Sequence, residues 1–88
     1  MGEEHRRVPR RKTLKGGRIV FNNGRSTITC MIRDLSAAGA RLEVASSVGI
    51  AYEFTLAFDD GTMRRCLVRR RTSTSIGLEF TVEFDRAD

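Results

Sequence analysis

The chain has 88 residues, of which 40% are hydrophobic and 31% charged, with a formal net charge of +5. That is the composition of one small globular domain rather than a disordered tail, and so short a chain needs nearly every element to contribute to its core. No apolar run approaches the ~20 residues of a bilayer span, and Met1-Gly2-Glu3-Glu4-His5-Arg6 lacks the apolar stretch of a secretory signal, so a cytoplasmic location without membrane association is expected.

Residues 1–14 carry no apolar periodicity, and five of the seven residues from Arg6 to Lys12 are positive. Pro9 keeps a helix from running through this stretch. The segment reads as a basic N-terminal arm, mobile until something anionic orders it, and residues 15–88 read as the body. From Gly17 onward the hydrophobic period is two. Arg18-Ile19-Val20-Phe21 reads as a short strand, and Asn22-Asn23-Gly24 as a turn. Ser26 to Arg33 alternates with Ile28, Cys30 and Ile32 on one face. Gly39 to Val44 places Ala40, Leu42 and Val44 on one face and Arg41 and Glu43 on the other.

Residues 45–51 suggest one loose turn. Tyr52, Phe54, Leu56 and Phe58 form the clearest stripe, followed by the hairpin signal Asp59-Asp60-Gly61. In Thr62 to Arg71 both Cys66/Val68 and Met63/Leu67 suit an inward face, which points to a β-bulge. Ile76, Leu78, Phe80 and Val82 make the last stripe. Six short strands without a long amphipathic helix predict an all-β protein, a small antiparallel barrel or sandwich; a six-stranded antiparallel β-barrel so small would be filled by its own side chains. Six residues after the last stripe, 83–88, are too few for a stable C-terminal helix.

Fourteen of the 16 basic residues are arginine, whose planar fork suits phosphate and the O6/N7 edge of guanine, so an anionic partner is expected. A single His5 and two well-separated cysteines, Cys30 and Cys66, make no metal site, and the cysteines read as buried free thiols. No nucleophile–base arrangement is visible, so the chain is not expected to be an enzyme or to carry a cofactor.

Two motifs carry a more specific reading. Arg6-Arg7-x-x-x-Arg11 lies in the arm, and Asp34-x-Ser36-x-x-Gly39 lies between the second and third strands, 23 positions after Arg11. A second RRxxxR, Arg64 to Arg69, lies inside a strand with no DxSxxG after it and reads as a solvated strand face. The arm motif, the loop motif, the strands between and after them and the closing Ile76-Gly77-Leu78-Glu79-Phe80 resemble the PilZ domain, the bacterial receptor module for cyclic di-GMP. The resemblance implies a split-barrel type of fold and a site formed by Arg6, Arg7, Arg11, Asp34, Ser36 and Gly39, to which the strand face adds Arg41 as a further candidate. It further implies an intercalated ligand pair favoured by Arg6, an arm rearrangement on binding, a downstream protein effector in trans, and a role in motility or biofilm regulation.

The chemistry of the residues suits such a ligand. Asp34 is an acceptor for the guanine Watson–Crick edge, Arg7 and Arg11 are forked donors, and Ser36 adds a hydrogen bond. Gly39 removes a side chain where backbone and ligand approach closely. Arg41 projects on the face of Gly39 and Glu43, where it stacks on a base, neutralises phosphate or simply carries surface charge. The plainer account of the loop is local: Asp34 and Ser36 bond nearby amides and Gly39 supplies a positive φ.

Two further readings stay open. One is a basic barrel binding RNA or single-stranded DNA, which Phe21, Tyr52, Phe54, Phe58 and Phe80 disfavour by falling on core stripes, with Phe84 uncommitted. The other is a PilZ-like protein adaptor that no longer binds nucleotide.

Overall fold

The structure, a computed structural model, describes residues 11–81, with side chains from Leu14 onward. Six strands follow one another: β1 (Arg11–Phe21), β2 (Ser26–Leu35), β3 (Gly39–Glu43), β4 (Glu53–Phe58), β5 (Met63–Arg71) and β6 (Ser75–Phe80). All neighbours are antiparallel and the sheet closes in the order β1-β2-β3-β6-β5-β4. The six strands read from the alternation are therefore present and close into the barrel that the resemblance implied, with no helix among the described residues. Closure removes the exposed edges that so small a sheet would otherwise present.

The turns follow from their residues. Asn22, Asn23 and Gly24 all have positive φ (55°, 57° and 85°), a conformation that Asn and Gly tolerate best. Between β4 and β5, Gly61 takes a φ of 95°, and the Asp60 carboxylate accepts a bond from the Thr62 amide at 2.9 Å. That amide bond holds the Asp60 carboxyl below its ordinary range. In the segment 45–51, Ile50 N donates to Ser47 O at 3.2 Å around Gly49 at φ 84°, one turn as expected.

Inward positions form one core around Ile19, Ile32, Leu42, Phe54, Leu56 and Ile76, all fully buried. Each such side chain contributes roughly 1.5–3 kcal/mol by leaving water. Phe21, Phe58 and Phe80 are partly buried and pack against this core. Cys30 and Cys66 are buried free thiols, as the alternation implied, and burial pushes them up to about 11 and about 12.

Two expectations are corrected. Tyr52 is not core: it is 67% exposed, its ring lies 4.6 Å beneath the Arg71 guanidinium, and Ile50 is buried instead. The stripe misplaces it because Tyr52 precedes β4 and does not share that strand's pleat. Strand β1 begins at Arg11, inside the segment assigned to the arm. Arg11 pairs with Leu35 and Lys12 with Asp34, backbone pairing that leaves no hydrophobic signature. Of the last stripe, Val82 lies outside the described residues.

Three register shifts interrupt the pairing, in β1 between Lys12 and Lys15, in β2 between Ile32 and Asp34, and in β5 between Val68 and Arg70. The third is the bulge that the ambiguous phase of Thr62–Arg71 called for, with Cys66 and Val68 inward and Met63 exposed.

Candidate functional site

The site grows from the β2 bulge. Strict alternation from Ile28, Cys30 and Ile32 would turn Asp34 into the barrel. Ile32 pairs with the buried Leu42, but Asp34 pairs with Arg41, so Arg33 is the extra residue and the phase inverts. Leu35 then packs against the core, while Asp34 and Arg41 share the outer face. Arg41 Nε donates to Asp34 Oδ2 at 2.8 Å, and Arg33 reaches Glu43 Oε1 at 3.1 Å.

The hairpin between β2 and β3 is closed by Ser36 N donating to Gly39 O at 2.9 Å. The Ser36 hydroxyl accepts from the amides of Ala38 (3.1 Å) and Gly39 (3.2 Å), the local bonding that the plainer account expected. Gly39 departs from the plainer account. Its φ is not positive, and a Cβ there would fall on the carbonyl oxygen of Leu78 and 3.0 Å from Glu79 Cα. Glycine is required here because the backbones of β3 and β6 approach closely. Phe80 N pins the hairpin tip by donating to Ala38 O at 2.8 Å.

Asp34, Ser36, Gly39 and Arg41 line one outer cavity of about 400 Å³. Its far wall is a surprise, since Arg69, Arg70, Gly77, Leu78 and Glu79 complete the lining. Arg69, the end of the second RRxxxR, lies on an exposed strand face as expected, and there its Nε pairs with Glu79 at 3.1 Å. The other two arginines of that copy are engaged elsewhere: Arg64 lies 4.2 Å over the Phe80 ring, and Arg65 binds Thr55 and Glu53. The usable signal for Arg69 and Arg70 was the ambiguous phase of β5, which marked the bulge but not the face it would serve.

Of the arm residues, Arg6 and Arg7 lie outside the described residues. Arg11 is placed by its backbone, opposite Leu35, the last residue of β2, whose chain neighbours are Asp34 and Ser36. The chain thus enters the barrel beside the loop motif. No cluster of metal-ligating residues occurs among the described residues, and no helix there is long and apolar enough to cross a membrane.

These features define a class: a closed six-stranded barrel with an outward acid–arginine pair, a serine-capped hairpin and a basic chain segment arriving beside it. The chain belongs to the PilZ domain family, whose family model matches residues 4–88, nearly the whole chain. No curated protein is significantly similar to it in sequence.

Proposed function

We propose that this chain is a non-catalytic, cytoplasmic receptor for cyclic di-GMP. The observation that carries the reading is the convergence of Asp34, Ser36, Gly39 and Arg41 on one outer cavity, beside the strand through which Arg11 enters the barrel. Family membership supports the ligand class.

In this reading Asp34 accepts the N1–H and N2–H₂ donors of a guanine, and Arg7 and Arg11 bring forked donors to O6/N7 or to phosphate. Arg41 holds the Asp34 carboxylate toward the cavity. Closing the arm over the ligand fixes about six residues at roughly 1–2 kcal/mol each. Several charge-assisted bonds of roughly 1.5–3 kcal/mol offset that loss. Arg6 favours an intercalated ligand pair, and the closed arm forms a new surface for a protein effector acting in motility or biofilm control.

Nucleic-acid binding is less well supported. Tyr52 is the exposed aromatic among the described residues, but one face of its ring is taken by the Arg71 guanidinium. The test is isothermal titration with cyclic di-GMP, with Arg7→Ala in parallel. Saturable heat that disappears in the variant supports the receptor, and its stoichiometry separates one ligand from a pair. Absence of heat with wild-type protein overturns it, and leaves the adaptor and oligonucleotide readings to pull-downs and salt-dependent oligonucleotide titration.

A further inference from the structure

The β5 bulge has an effect on charge that the two motifs do not account for. Val68 pairs with Leu78, and the next pair is Arg70 with Gly77, so Arg69 is an extra residue on its strand. In a regular strand one of Arg69 and Arg70 would turn inward; here both are exposed and both line the cavity that holds Asp34. The three consecutive arginines then have three different fates. Arg71 donates to the carbonyls of Ser47 (3.1 Å) and Ile50 (2.7 Å) at the other end of the barrel. Arg69 is paired with Glu79. Arg70 has no hydrogen-bond or ion-pair partner among the described residues.

The floor between the two cavity walls is Gly77, which pairs with Arg41 on one side and Arg70 on the other. Unlike Gly39, this glycine is not demanded by the fold. Its φ is not positive, and a Cβ would meet Arg70 Cβ at an ordinary 3.7 Å. Its lack of a side chain instead leaves a trough two strand spacings wide, roughly 10 Å, between the Arg41 and Arg70 backbones. The Arg70 stem borders this space, its Cδ 4.0 Å from where a Cβ of residue 77 would stand, so a planar base entering over the glycine lies against the Arg70 side chain. The charges lining the cavity, Arg41, Arg69 and Arg70 against Asp34 and Glu79, leave one net positive charge. Since Arg41 and Arg69 are already paired, that charge resides on Arg70.

We infer that Arg70 is a ligand-binding residue that holds a phosphodiester of the bound cyclic dinucleotide, and that Gly77 is the floor over which the adjoining base lies. The inference rests on the receptor reading above and adds to it a contact on the strand opposite the two motifs. A guanidinium on a phosphodiester makes one or two charge-assisted bonds, here in a trough whose two carboxylates are already paired with Arg41 and Arg69.

The test is titration of the full chain with cyclic di-GMP, comparing wild type, Arg70→Ala, Arg70→Lys and Gly77→Leu, with Arg25→Ala in the distant hairpin as a charge control. Arg70→Ala is expected to raise Kd by roughly ten- to a hundredfold. Arg70→Lys, which keeps the charge but not the fork, is expected to recover part of that. Gly77→Leu is expected to weaken binding at unchanged charge, and Arg25→Ala to bind like wild type. Circular dichroism and melting of each variant confirm the fold, and should Arg70→Ala fail to fold, the Lys and Leu variants decide. If wild type binds but the Arg70 and Gly77 variants match Arg25→Ala, the inference is overturned and the receptor reading stands; if wild type does not bind, the receptor reading falls with it.

Discussion

Arg41 Nε donates to Asp34 Oδ2 at 2.8 Å, so the acidic residue of the loop motif is bonded across β2 and β3 before any ligand arrives. The pair is possible only because the Arg33 bulge turns Asp34 outward. A guanine edge approaching Asp34 must therefore share or displace the Arg41 guanidinium.

The Asp34–Arg41 pair is partly solvated, with side chains 20% and 43% exposed, so it adds at most about 1 kcal/mol to stability. Asp34→Ala is expected to lower stability by about 1 kcal/mol or less through loss of this pair, while removing guanine preference. Parallel titrations with cyclic di-GMP and cyclic di-AMP measure this. Retained discrimination in the variant would show that Asp34 does not read the base.

Gly39→Ala is expected to destabilise the protein by roughly 1–3 kcal/mol, since the new methyl group meets the Leu78 carbonyl of β6, which cannot move without parting the β3–β6 pairs. Gly77→Ala, with ordinary contacts at its Cβ, is expected to change stability far less. Urea unfolding of the two variants side by side gives the comparison.

The buried cysteines link folding to alkaline pH. Their folded-state values, about 11 for Cys30 and about 12 for Cys66, stand above the ordinary 9.0 chiefly because burial disfavours the thiolate. Between pH 9 and 12 the folded chain therefore binds more protons than the unfolded one, and stability falls as pH rises through that window. The contribution is complete below about pH 9. Melting temperature should decline from there upward, with a shallower decline in Cys30→Ala/Cys66→Ala than in wild type. Below pH 9 both thiols should react with a thiol reagent only at the rate of unfolding.

Arg71 ties the segment 45–51 to the barrel through two carbonyls, and its ring partner is Tyr52. Replacing it with methionine is expected to lower stability by about 2–4 kcal/mol, because both bonds are charge-assisted. Hydrogen exchange should quicken first at the amides of Ser47 and Ile50, which bond to Ser73 and Ser47 carbonyls. Uniform quickening across β2 and β6 instead would place Arg71 in the global fold rather than in the loop.

Alternation of apolar residues was enough to read six strands, the all-β class and most of the core, because a barrel wall must be apolar on one face and the period of a strand is two. The spacing of Asp34, Ser36 and Gly39 was likewise legible, since three residues in one short hairpin stay neighbours whatever the rest of the chain does. Other features lay beyond that reach. The outward turn of Asp34, the doubled exposure of Arg69 and Arg70, and the bare floor at Gly77 each depend on a bulge or on which strands the closure makes adjacent. Gly39 is the sharpest case: its sequence context suggests a turn requiring positive φ, yet its requirement comes from β6, some forty residues away. A local pattern records how each strand alternates; which strands meet, and with what register, is settled by packing the whole barrel at once.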